Sequence, residues 1–194
     1  MDLVLIRHGK PEVIEHDPNG ADPGLTDLGH RQAEAMGAYL GNEHFDAIWA
    51  SPQRRARETA APLLGGRDLE LQIDERIAEF DLGETSYGTG PTDAMRLTGS
   101  AADEMLARVR NPEFQSRVMA GMNHIIDTHK GQRVAVVCHG GTIAVALSLM
   151  LDVPNLVAKC APSYTSVSRV GAASNGFRSL QSYNEAHWLP YLEE

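Results

Sequence analysis

Residues 133–143 read RVAVVCHGGTI, and this stretch decides the fold. Arg133 to Cys138 is a short run of valine, alanine and cysteine, the composition of a buried strand. It stops at His139-Gly140-Gly141, and the apolar run from Thr142 to Leu151 follows as a helix. Strand, small-residue turn and helix make one α/β unit with a histidine at its corner. Neighbours along a strand point to opposite faces, so Cys138 and His139 are poor partners for one metal ion. Cys138 reads as a small buried hydrophobe.

The same arrangement stands near the N-terminus. Leu3 to Ile6 is a second apolar strand, ending at Arg7-His8-Gly9. Residues 10–24 are rich in turn formers and read as a loop. Helical spacing of Leu28, Ala35 and Leu40 begins at Leu25, with Thr26 as its cap. DAIWA, residues 46–50, is another strand. Ser51-Pro52 then reads as a helix start, with serine capping and proline in the first turn. That helix runs through RRARETAAPLL and weakens at Pro62 or ends at Gly65-Gly66.

Leu69 to Ile73 alternates like a strand, and residues 74–100 read as loop with short helical pieces. Helices are expected over 101–110 and 112–129, the second opened by Pro112. Strands over 164–170 and 177–183 close the chain, too near each other for a helical crossover, so one sheet edge is antiparallel. The sum is an α/β fold: a single-domain three-layer α/β/α sandwich with a mixed, mostly parallel sheet. One domain spans 1–194, with a pocket-covering insertion at about 84–111. In open α/β sheets ligands bind beyond the carboxyl ends of the strands, where Arg7, His8 and His139 stand.

Composition narrows the function. The 194 residues carry a net charge of −9, which disfavours a broad nucleic-acid or anionic-membrane surface but not a small cationic pocket. No run of about 18 apolar residues is present, so no membrane span is expected. Cys138 and Cys160 make no disulfide framework. The start MDLVLIRHGK lacks the basic segment and long apolar stretch of a signal peptide. A cytoplasmic protein is the expectation. Trp188 and Tyr191 leave a homodimer open beside internal packing, the blander reading.

Arg54, Arg55 and Arg57 lie in the first turns after Ser51-Pro52. Arg54 precedes Glu58 by four residues, a surface pair of small value. Arg55 and Thr59 share a different face. An arginine near a helix start is unhelpful unless an anion is present, and guanidinium can then hold two phosphate oxygens. Glu79 precedes FDLG and is a candidate proton donor, with Glu75, Asp81 and Glu84 as close competitors.

Five ordered blocks raise the specificity: LIRHGKP (5–11), LTDLGHRQAEAMG (25–37), SPQRRARETA (51–60), DERIAEFDLGE (74–84) and VAVVCHGGTI (134–143). The tail SYNEAHWL (182–189) adds to them. The chain resembles the histidine phosphatase, or phosphoglycerate-mutase-like, superfamily, whose first signature is the RHG motif. The resemblance implies a metal-independent phosphomonoester hydrolase without a cofactor, acting on a small phosphorylated metabolite. It implies His8 as the phosphoryl acceptor, giving phosphohistidine, and Arg7, Arg55 and His139 as the rest of the phosphate core. Arg55 is selected because it stands just before Ala56. Glu79 takes the place of the acid four residues before Gly83.

The pattern departs after RHG, where Lys10-Pro11-Glu12-Val13-Ile14 lacks the usual hydroxyl and puts Ile14 near the asparagine position. Asn19 is a loop candidate to replace it, and His187 matches a tail position. The metal alternative lacks an HExxH or a cysteine pair. Phosphoglycerate mutase and a catalytically inactive phosphate-binding or regulatory protein stand as alternatives.

Overall fold

A computed structural model describes residues 1–88, 100–154, 156 and 160–189. Six strands form one sheet in the order β3-β2-β4-β1-β5-β6. They are β1 (Asp2–Arg7), β2 (Ala47–Ala50), β3 (Leu71–Ile73), β4 (Arg133–Cys138), β5 (Val167–Ala172) and β6 (Arg178–Glu185). The first four strands named in the spatial order run parallel, and β5 and β6 add an antiparallel edge. The mixed, mostly parallel sheet expected from the sequence is therefore present.

Strand alternation explains the two helical layers. On one face Leu3, Leu5, Trp49, Val134 and Val136 pack under α4 (Pro112–Thr128) and α5 (Gly140–Met150). On the other, Val4, Ile6, Ile48, Ala135 and Val137 pack under α1 (Asp27–Tyr39) and α2 (Arg54–Leu64). Each central strand buries both faces, which is why these runs are continuously apolar. Cys138 joins the α4–α5 core. Trp188 packs inward with the α1–α2 core, and Tyr191 lies outside the described residues.

Element ends follow local chemistry, with some shifts. Thr26 caps α1 by accepting from the Gly29 N–H at 3.0 Å. Asn111 caps α4, and Pro112 takes its first turn. Ser51 does not cap α2. Its own N–H donates to Val137 O at 3.0 Å, which prolongs the β2–β4 ladder, so α2 begins three residues later with Gln53 as N-cap. Helix α2 runs past Pro62 to Leu64 and ends at Gly65, its C-cap, as the Gly65-Gly66 pair implied, with Pro62 lying where a Cβ on Gly37 of α1 would meet it at 2.7 Å.

Helix α5 starts at Gly140 rather than Thr142, because His139 has extended backbone and serves as its N-cap. The strand expected from Tyr164 begins only at Val167. Thr165 has φ 53, a left-handed value that breaks the strand, and its N–H donates to His8 O at 3.2 Å. Within 74–88 the helical piece is one 3-10 turn, Glu75–Ile77. Much of the expected insertion, residues 89–99, lies outside the described residues. Helix α3 (Ser100–Val109) follows, and a Cβ on Gly141 would meet Val109 Cγ1 at 3.0 Å. No helix among the described residues is long and apolar enough to cross a membrane.

Candidate active site

The carboxyl ends of β1, β2 and β4 bring the sequence-selected residues together. Arg7 is the last residue of β1, and His8 continues the ladder through its N–H to Cys138 O at 3.0 Å. Gly9 follows because nothing larger fits: a Cβ there would lie 2.6 Å from Gly29 O. Its N–H donates to Thr59 Oγ1 at 2.9 Å, and Thr59 donates to Arg55 O at 2.7 Å. The shared face of Arg55 and Thr59 thus ties the two signatures together.

His8 is 2% exposed, and its ring lies 5.1 Å from that of His139. Its Nδ1 is 2.7 Å from Gly9 O. A carbonyl oxygen only accepts, so Nδ1 carries the proton and Nε2 keeps its lone pair. Burial, followed by the charges of Arg55 and Arg7, holds the imidazole pKa well below its ordinary value, against the opposing Gly9 bond. The ring is therefore neutral at physiological pH and presents a nucleophilic nitrogen.

His139 is fully buried, and burial and Arg55 also lower its pKa well below the ordinary value. Its Nε2 is 2.7 Å from Ser51 Oγ, a closer contact than the 3.4 Å from that hydroxyl to Gln53 Oε1.

The arginines are held by parts of their guanidinium groups. Arg55 Nη2 lies 2.9 Å from each oxygen of Asp81. Arg7 Nη1 donates to Pro162 O at 2.6 Å. Tyr164 lies 4.2 Å from the Arg7 guanidinium carbon, and Tyr87 lies 4.6 Å from that of Arg55. Six buried side-chain polar atoms have no partner among the described residues, and four of them are Arg7 Nε, Arg55 Nε, Arg55 Nη1 and His139 Nδ1. Buried polar atoms without partners are rare and costly. Their concentration around His8 is what an anion with several oxygens would relieve.

Glu79 lies at the α5 end of the same site. Its Oε2 accepts from the Gly141 N–H at 2.8 Å, and its Oε1 from the Phe80 N–H at 3.3 Å. A Cβ on Gly141 would lie 2.5 Å from Oε1, so the glycine admits the carboxyl. Burial, then the nearby Asp81 charge, raises the Glu79 pKa to about 7 despite the Gly141 bond and Arg55. A buried carboxyl half protonated near neutrality can donate or accept a proton.

The competing residues are exposed or paired with other groups. Arg54 and Arg57 are exposed, and Arg54 Nε pairs with Glu58 at 2.6 Å. Glu75 is exposed, Glu84 pairs with Arg108, and Asp81 is committed to Arg55. Asn19 is exposed and bonds Asp17. Ile14 instead pairs its backbone with Tyr87, a two-way bridge that brings the 10–24 loop to the site's edge. His187 is exposed against Tyr39 and Trp188.

Sequence reading missed Gln53, Asp81 as an arginine anchor, Tyr87 and Tyr164, and gave Ser51 a different role. Position offered a signal for Ser51 and Gln53, which flank Pro52 just beyond β2. No group of three or more potential metal ligands is found among the described residues.

Residues 3–185 match the family model of the histidine phosphatase superfamily (branch 1). Phosphoserine phosphatase 1 of Hydrogenobacter thermophilus is 29% identical over 148 residues, covering 71% of this chain and 70% of that protein. A 2,3-bisphosphoglycerate-dependent phosphoglycerate mutase of Brucella anthropi is 32% identical over 168 residues, covering 77% of this chain and 81% of that protein. Among solved structures, a mutant phosphoserine phosphatase from Entamoeba histolytica in complex with phosphoserine matches with a TM-score of 0.74 at 21% identity. The match covers 97% of this chain and 98% of that one.

Proposed function

The chain belongs to the histidine phosphatase superfamily, and from that premise we propose a hydrolase of small phosphomonoesters that works through a phosphohistidine on His8. One observation carries the reading: a neutral imidazole with its Nε2 lone pair available stands among four buried side-chain nitrogens that lack partners among the described residues. Arg7, Arg55 and His139 would hold the non-bridging phosphate oxygens and stabilise the charge on them as the transferring group flattens. His8 Nε2 forms the bond to phosphorus as the bond to the alcohol oxygen breaks. Glu79 gives its proton to that oxygen, and the alcohol leaves neutral. Glu79, now a carboxylate, takes a proton from water as the water oxygen attacks phosphohistidine. Inorganic phosphate and free His8 result. Arginine charge serves where other phosphatases use a metal.

Helix α3 is assigned to covering the pocket and meeting the alcohol portion, supported by the place of Val109 beside Gly141. The names of the relatives support phosphorylated hydroxy acids as the substrate class. A cytoplasmic setting suits two free cysteines. The mutase reading is favoured by the Brucella relatives, and differs in returning the phosphoryl group to a second hydroxyl before water enters.

Rapid quench with labelled substrate should trap acid-labile, base-stable phosphate on His8, and His8→Ala should remain folded without label or turnover. Label on His139, or none at all with an active preparation, would overturn the mechanism. Free phosphate and isomerised acid, measured in the same samples, separate hydrolase from mutase.

A further inference from the structure

Asp81 stands between the two halves of the chemistry. Both of its oxygens lie 2.9 Å from Arg55 Nη2, and Oδ1 also accepts from Gln53 Nε2 at 2.8 Å. The other end of the same Gln53 amide, Oε1, accepts the Glu79 backbone N–H at 2.8 Å. One carboxylate and one amide therefore lock the strongest phosphate candidate on α2 to the segment bearing the proton donor. Asp81 is itself buried, 9% exposed, so its charge acts on its neighbours with little solvent screening.

We propose that Asp81 is a positioning residue with two tasks: it anchors Arg55 through Nη2, leaving Nε and Nη1 for the substrate phosphate, and it keeps the neighbouring Glu79 carboxyl in its donating, protonated form. The proposal rests on the reading of Glu79 as the leaving-group acid. The first task follows from geometry, because Nε and Nη1 are the guanidinium nitrogens left without partners. The second stands on the Gln53 amide, which bonds Asp81 Oδ1 at one end and the Glu79 N–H at the other and so holds the two acids side by side. Burial and Asp81 favour its neutral form, while the Gly141 N–H, Arg55 and the Phe80 N–H favour the ionised one.

Other groups face Glu79 from each neighbouring element. From α4, Arg117 donates to Glu75 O, Arg76 O and Ala78 O at 2.9–3.0 Å and lends positive charge beside Glu79. From β4, Cys138 is held as a neutral thiol by burial. His139 at the head of α5 is neutral, as its burial requires. Arg108 of α3 is occupied by Glu84 and Glu104 and stacks over Phe80. Asp81 is thus the anion in this set that opposes Arg55 and Arg117. Without it, burial alone would oppose Arg55 and the two backbone N–H groups, and Glu79 would give up its proton at a lower pH.

Titrating carbon-13-labelled glutamate by NMR tests this directly, with the Glu79 signal identified by its loss in Glu79→Gln. Asp81→Asn keeps the shape and removes the charge; Asp81→Ser is a second neutral variant should the first fail to fold. In either, the Glu79 titration should move toward acid by about one pH unit, the scale on which a near charge acts. Asp81→Glu keeps the charge and should hold the midpoint close to wild type. An unmoved midpoint in a folded neutral variant, or an equal displacement in Asp81→Glu, would overturn the proposal.

Kinetics supply the second arm. The alkaline limb of alkyl phosphate kcat/KM should move with the NMR midpoint in the neutral variants, and should vanish in Glu79→Gln. A limb that persists in Glu79→Gln would instead overturn Glu79 as the acid. The NMR midpoint reads the effect of Asp81 on the carboxyl whichever group donates the proton, so the two failures are told apart.

Discussion

Replacing Arg55 by methionine tests the site at its most deeply buried cation. The guanidinium serves two roles: Nη2 holds Asp81, and Nε and Nη1 are unpartnered. Removing one member of a buried ion pair costs about 3–5 kcal/mol, because the other charge is stranded. Two buried donors without partners disappear at the same time, each worth about 1–3 kcal/mol of relief. Methionine fills much of the space of the arginine stem. The opposing effects leave a net loss of about 3 kcal/mol at most without phosphate.

Transition-state stabilisation has no such offset, and kcat/KM should fall by about 100- to 1,000-fold. Thermal unfolding separates these effects. Inorganic phosphate at 100 times its wild-type Kd should stabilise the wild type by about 2.7 kcal/mol. For a chain of this length that corresponds to about 5–11 °C in Tm. Arg55→Met should lose most of this rise, while Arg54→Ala, altered at the exposed neighbour, should keep it. A full phosphate-dependent rise in Arg55→Met, or equal kinetic defects in the two variants, would refute the assignment of Arg55 to the phosphate.

Glu79→Gln removes the titratable acid but keeps its size. It should slow single-turnover phosphorylation strongly with an alkyl phosphate and much less with nitrophenyl phosphate, whose leaving group needs no proton; equal slowing would rule Glu79 out as the donor. The pH dependence follows in sign: the raised Glu79 pKa of about 7 keeps the acid protonated below it, so alkyl phosphate cleavage should decline above about pH 7. The lowered His8 pKa puts the acid limb well below the ordinary imidazole value, and a limb at that ordinary value would contradict a neutral buried nucleophile. Gly9→Ala forces a Cβ to within 2.6 Å of the Gly29 carbonyl oxygen and should cost about 1–3 kcal/mol in denaturant unfolding. Gly88→Ala, whose added Cβ meets nothing within 4 Å among the described residues, serves as the control and should be near neutral.

The layers and most of the sheet were legible because β1, β2 and β4 announce themselves by short apolar runs, and each run ends in a polar residue of the site. His8, His139 and Arg55 were found by strand ends and motif spacing. Asp81 was visible only as a spare acid, since nothing in sequence says that an aspartate 26 residues from Arg55 folds onto its guanidinium. Ser51 misled for a physical reason: serine before proline is a good cap, but the parallel ladder claimed its N–H and the His139 contact occupies its hydroxyl. The strand expected from Tyr164 starts later because alternation continues through Thr165, whose left-handed backbone no pattern reveals. Tyr164 and Tyr87 read as ordinary aromatics until their rings are seen against the arginines.

The strand order has a consequence for how the protein comes into being. β1 is the first strand along the chain, yet its two partners are β4, paired from Arg133, and β5, paired from Val167. During synthesis, more than 130 residues must follow Asp2 before either neighbour can dock. Until then the apolar Leu3–Ile6 stretch of the nascent chain has both edges open, a state suited to chaperone capture or to aggregation. Such distant pairings also make closure slow. His8 and His139 meet only when β1 and β4 join, so the candidate site is assembled in the last stages of folding. A ribosome stalled in the first two thirds of the chain would carry the RHG motif in a polypeptide with no means of using it.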